Sequence, residues 1–160
     1  MIKIIKYITV CCLLIIFSNT CFGQGCHGFY RNPGCFVKES KYFKQYGQSK
    51  SAAIAIDKLY TYQILLYGEK DYIFSLCTEP GFKPMHFRIV DANTKDVIYD
   101  NSQDEYNQCI GFSMEKTTTV NLEIEILLES LKAKNIDPDQ GRVCIGVQIW
   151  WRKIPKLGFN

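Results

Sequence analysis

The sequence has few of the residues from which most enzymes and metal sites are built. Its 160 residues include two histidines, His27 and His86, and its eight cysteines form no C-x-x-C pair, so a tetrahedral zinc site has few ligands to draw on. Nucleotide-binding glycine motifs, H-E-x-x-H and G-x-S-x-G are all missing, which argues against the familiar nucleotide-dependent, metallopeptidase and serine-hydrolase classes. There is little excess of charge. The 19 basic residues face 16 acidic ones, too even a balance for a nucleic-acid binder, whose footprint is a clear basic surplus. Beyond the N-terminus no apolar run approaches the roughly 20 residues a helix needs to span a bilayer, and neither a cofactor nor a transmembrane span in the mature chain is expected.

What is present begins with an export signal. Lys3 and Lys6 precede an apolar run over residues 8–17 broken only by Thr9, and Ser18-Asn19-Thr20 closes it. That is the charged-then-apolar layout of a cleaved signal peptide, assigned to residues 1–23; about ten apolar residues make a poor membrane anchor. Cys21 and Gly23 offer the small side chains a signal peptidase needs, so Gln24 is expected to begin the mature chain. Lipidation at Cys21 is the alternative, although the residues before it lack the Leu-small-small pattern of a lipobox. The expected location is the periplasm or the exterior. Without Lys3 and Lys6 the 19 basic residues become 17 against 16 acidic ones, a mature net charge of +1.

Five cysteines follow the cleavage site: Cys26, Cys35, Cys77, Cys109 and Cys144. In an oxidising compartment they are disulfide candidates, and the odd count leaves a thiol or an intermolecular bridge. A Cys26–Cys35 bond around Asn32-Pro33-Gly34 is the first expectation, with two of Cys77, Cys109 and Cys144 pairing if their strands are neighbours.

Residues 24–50 read as an irregular lead-in in which Tyr42, Phe43 and Tyr46 permit one or two helical turns, ended by Gly47. From residue 51 the period becomes two. Over 117–129, Val120, Leu122, Ile124, Ile126 and Leu128 alternate with Asn121, Glu123 and Glu125, the pattern of a strand with one core face and one wet face. In 142–152, Val143, Ile145, Val147, Ile149 and Trp151 share one face, and Cys144, Gly146, Gln148 and Trp150 share the other. A turn at 68–71 is expected to join 59–67 and 71–78 as a hairpin, and Glu115-Lys116 another tight pair. About eight short strands without an intervening helix predict an all-β, antiparallel, jelly-roll-like sandwich over 51–153, with a tail at 154–160.

Tyr67-Gly68-Glu69-Lys70-Asp71-Tyr72-Ile73-Phe74, then Phe87-Arg88-Ile89-Val90-Asp91 and the strand over 120–126, resemble the bacterial pre-peptidase C-terminal domains across residues 50–152, through a Gly-x-x-x-Tyr motif and the alternation. The resemblance implies a small jelly-roll-like sandwich with a non-catalytic accessory or binding role. The cysteines depart from that pattern.

Few residues suggest chemistry. A cysteine hydrolase would need Cys26 or another thiol beside His27 or His86; His86 is expected on an outer strand face. Glu123 and Glu125 could form an acid and base pair, but a solvated face is the simpler reading. Asp91, Asn93 and Asp96 could hold calcium, although Asx-rich turns need no metal. Aromatics are the stronger signal: Tyr60, Tyr62 and an outward Trp150, with Asp137 and Asp139 in the long loop 131–140, form a candidate binding surface. The first reading is a non-catalytic exported protein that binds a protein partner. A carbohydrate-binding module using the same aromatics to hold a glycan is the alternative, and a cysteine hydrolase the third.

Overall fold

The period-two segments become strands because alternate side chains can share one buried layer. In a computed structural model that describes residues 25–37, 41–56, 58–127 and 141–154, the strands are β1 (Lys44–Gln45), β2 (Lys50–Ala55), β3 (Tyr60–Leu66), β4 (Lys70–Thr78), β5 (Met85–Asp91), β6 (Val97–Asp100), β7 (Cys109–Met114), β8 (Thr118–Ile126) and β9 (Arg142–Lys153). They form two antiparallel sheets, so the predicted all-β sandwich is correct. In sheet A, β9 pairs with β4 and β4 with β7, while β1 and β2 lie one after the other along the far side of β9. Sheet B runs β3-β8-β5-β6. The predicted signal peptide with Cys21, the loop 131–140 with Asp137 and Asp139, and residues 155–160 lie outside the described residues.

The expected hairpin at residues 68–71 is not one. β3 pairs with β8 and β4 with β7 and β9, so this turn, like that at 115–116, carries the chain from one sheet to the other. Ile64 and Leu66 on one strand and Tyr72 and Phe74 on the next still face a common core, which is why alternation alone does not separate an arch from a hairpin. The two arches touch: a Cβ on Gly68 would lie 2.7 Å from the carbonyl oxygen of Glu115, a contact only glycine allows.

Between the sheets, Ile54, Phe74, Phe87, Leu122, Ile124 and Ile149 are among the side chains shielded from solvent, each contributing about 1.5–3 kcal/mol by burial. Phe74 stacks on Phe112 with ring centroids 5.4 Å apart.

The two long strands that look alike in sequence end differently. β8 keeps strict alternation of buried and half-buried residues, whereas β9 is buried without interruption from Val143 to Ile149 and β4 from Tyr72 to Thr78. The lead-in is the cause. It covers the outer face of sheet A with two 3-10 turns, Phe29–Arg31 and Pro33–Cys35. Of the one or two helical turns expected around Tyr42 and Tyr46, a 3-10 turn holds Lys41 and Tyr42, and β1 follows in place of a second, because the backbone of β9 at Trp150 and Trp151 offers ladder partners to Lys44 and Gln45.

Candidate functional site

The covered face of sheet A is assembled from residues far apart in sequence. Cys77 and Cys144 point outward from β4 and β9, and both are bonded to the lead-in: Cys26 to Cys144, with Cα atoms 5.2 Å apart, and Cys35 to Cys77, with Cα atoms 5.0 Å apart. The expected Cys26–Cys35 bond is therefore incorrect, and so is pairing among the strand cysteines; Cys109 lies outside both bridges. Short sequence separation favoured the first, but the lead-in is laid along the sheet, so each of its cysteines meets a different strand. Two disulfides belong to a chain that folds in an oxidising compartment, which agrees with export.

Polar contacts fasten the same segment. Gln148 Nε2 donates to the carbonyl of Tyr30 at 2.6 Å, Ser75 Oγ to that of Cys35 at 2.9 Å, and Tyr30 N to Ser51 Oγ at 2.8 Å. Gln148 and Ser75, both buried under the lead-in, thus have partners, as buried polar groups require.

Trp150 does face outward, and Trp151 packs toward the core. The lead-in reaches Trp150: Phe36 meets it edge to face at a centroid distance of 6.0 Å and an interplanar angle of 83°, while its Nε1 donates to Gln148 Oε1 at 3.1 Å. Phe36 itself is 61% exposed. The sequence had not marked it, since a lone aromatic in a Gly- and Pro-containing segment has no period that would orient it.

Tyr60 and Tyr62 lie elsewhere. They sit on the inner face of β3, in register with Ile64 and Leu66, at the open side of the sandwich. Lys50 Nζ lies 3.4 Å from the Tyr62 ring centroid, and the Tyr62 hydroxyl donates to the carbonyl of Gln48. Burial, then the neighbouring hydroxyls of Tyr60 and Tyr46, push the Tyr62 pKa up to about 12, so it is a permanent donor. Sheet A separates this pair from Trp150. The three aromatics do not form the flat platform a sugar stacks on, and the edge-to-face Phe36–Trp150 pair does not offer one either.

The outer face of sheet B carries a charged ladder. Arg88 pairs with Glu123 at 2.7 Å across β5 and β8. His86 is on the outer face as expected but is not simply solvated: Nδ1 lies 2.5 Å from Glu125 Oε1 and Nε2 2.9 Å from Asp100 Oδ1. Both ring nitrogens face carboxylates, so the imidazolium, with two N–H groups, fits where the neutral ring would leave a lone pair against an anion. Burial pulls the His86 pKa down, but the hydrogen bonds to Glu125 and Asp100 and their negative charge outweigh it, and it ends above 6.5. A raised pKa in the folded state contributes stability that is fully present below about 6.5 and is lost as the pH rises through the folded value. The thermal midpoint is therefore expected to fall as the pH rises above about 6.5, and His86→Gln should flatten that decline; a wild-type profile with no such decline would refute the clamp.

These contacts bear on the hydrolase reading. Cys26 is bonded to Cys144 and supplies no thiolate to His27, and neither ring nitrogen of His86 is left for a thiol. Glu123 and Glu125 are engaged by Arg88 and His86. Asp91, the calcium candidate, accepts from the amides of Asn93 and Thr94 and from Thr118 Oγ1, an Asx turn complete in itself. Among the described residues no group of three His, Cys, Asp or Glu side chains is placed to hold a metal, and no helix is long and apolar enough to cross a membrane.

No protein-family model matches the chain and no curated protein does. Among solved structures, a periplasmic inhibitor of g-type lysozyme from Aeromonas hydrophila, PliG, is similar at 10% identity and a TM-score of 0.44, over 73% of this chain and 91% of that one. At that distance nothing about the present chain's partner follows from it.

Proposed function

We propose that the chain is an exported, non-catalytic binding protein that holds another protein through the face the lead-in builds on sheet A, with Phe36 and Trp150 as its apolar centre. The observation that supports this most directly is the exposed Phe36 ring, held against Trp150 by a segment that two disulfides tie to β4 and β9. An apolar anchor fixed in place before contact loses little freedom on binding, and aromatic side chains dominate the centres of protein interfaces. The resemblance to pre-peptidase C-terminal domains is in keeping with an accessory role of this kind.

Affinity capture from an envelope or extracellular fraction tests it. A partner retained by the wild-type protein is expected to be retained at least about tenfold less by Phe36→Ala, with the thermal midpoint unchanged because the ring is exposed. Equal retention by Phe36→Ala and Trp150→Ala would place the contact elsewhere, and saturable, Trp150-dependent glycan binding would return the protein to the carbohydrate-binding class.

A further inference from the structure

A cleft of about 610 Å³ runs beside the lead-in, on the flank away from Phe36. One wall is the segment from Gly25 to Arg31, with the Cys26–Cys144 bond at its base; the other is β2. His27, Arg31 and Arg142 line it and no acidic side chain does; Lys50 borders it too, but its ammonium is turned inward onto the Tyr62 ring. The chain as a whole is nearly balanced in charge, so two permanent cations and a histidine in one recess without an acidic side chain are a local concentration. The four ion pairs between described residues all lie elsewhere.

The wall formed by β2 is a sheet edge. Among the described residues β2 pairs only with β9, and in an antiparallel ladder alternate residues turn their N–H and C=O groups away from the partner strand. Ser51 and Ala53, small side chains on the outer face, leave room for a chain to run alongside.

The other sheet edges are less suited. On β3, the side-chain amide of Gln48 already bonds both backbone groups of Leu65, at 3.2 Å each. β6 is four residues long, ends in Asp100 and has a register shift opposite Ile89 and Val90. β7 carries no charged residue.

We propose that this cleft takes an extended, acidic segment of a partner protein, which adds to sheet A as a strand along β2 while its carboxylates meet Arg31 and Arg142. Main-chain pairing supplies the affinity in this mode of recognition and the side-chain environment supplies the selectivity. The inference rests on the reading of the chain as a protein-binding molecule, but it assigns a contact separate from Phe36 and Trp150.

The test is a titration of the intact, oxidised protein with a fluorescent peptide of about eight residues alternating Glu with Thr or Val, long enough to pair with the whole of β2. Saturable binding is expected, weakened at least about tenfold in Arg31→Glu/Arg142→Glu, whose altered side chains are exposed, and lost for the same peptide methylated at alternate backbone nitrogens, which keeps the charge and removes ladder donors. The peptide variant needs no change to the protein, so a folding defect cannot imitate the result. Absence of saturable binding, equal binding of the methylated peptide, or tighter binding of a sulfated oligosaccharide would each overturn the proposal. Because the probe is a peptide and not the captured partner, this result stands whichever way the Phe36→Ala capture falls.

Discussion

Replacing Cys26 and Cys144 together by alanine is expected to lower the unfolding free energy by about 2–5 kcal/mol. The bond joins residues 118 positions apart, so in the unfolded chain it closes a loop containing nearly the whole sandwich. Restriction of the unfolded ensemble grows with the logarithm of loop length, and a loop of this size lies toward the upper end of the range. The Cys35–Cys77 bond, 42 positions apart, is expected to contribute slightly less. Domains of this size are stable by about 5–15 kcal/mol in total, so either loss is a large fraction of the whole. Urea titration of the oxidised wild type against the double-alanine variant reads the difference as a shift in midpoint. An unchanged midpoint would mean that the lead-in does not constrain the unfolded chain. The same variant frees one end of the segment that carries Phe36, so partner retention should fall along with stability.

Gly146→Ala is the second large effect. Gly146 lies opposite Cys77 on β4 and Ser51 on β2, where the lead-in crosses β9. A Cβ added there would stand 2.6 Å from Tyr30 Cα, 2.8 Å from Cys77 Sγ and 2.9 Å from Cys35 Sγ. These are a backbone atom and a disulfide, not the loose ends of side chains, so the methyl group can be accommodated only by lifting the lead-in from the sheet. Overfilling a packed site costs about 1–3 kcal/mol, more where nothing yields, and the upper end is expected. Gly111→Ala is the control: its added Cβ finds its nearest neighbour at 3.6 Å, an ordinary contact. Thermal midpoints that fall for both variants alike would show that the effect belongs to glycine in a strand and not to the crossing.

Lifting the lead-in would also uncover Gln148 and Ser75, whose partners are its carbonyls. The covered strand face, the two disulfides and the position of Phe36 against Trp150 thus all depend on the lead-in staying seated, which links the stability of this region to the proposed binding role.

How much of this was legible beforehand varies by element. The alternation from Val120 to Ile126 defined β8 and its core face, since a half-buried strand writes its environment into every second residue. The same rule correctly turned Trp150 outward and Trp151 inward, and placed His86 on an outer face. It did not reveal that Glu125 and Asp100 flank that histidine, because ladder register lies in the pairing of β5 with β8 and β6 and not in any one strand.

By itself, then, the sequence determined an antiparallel β chain with strand faces assigned wherever one side is wet, because burial on one side leaves a period of two. Only the tertiary structure decided which cysteines join, that the turns at 68–71 and 115–116 are arches, that Cys144, Gly146 and Gln148 are covered, and that His27, Arg31 and Arg142 share a cleft. Each depends on where a segment without periodicity comes to lie. The lead-in, held by two long-range bonds and a few hydrogen bonds to a sheet already formed by other residues, carries no repeating pattern that could announce its position.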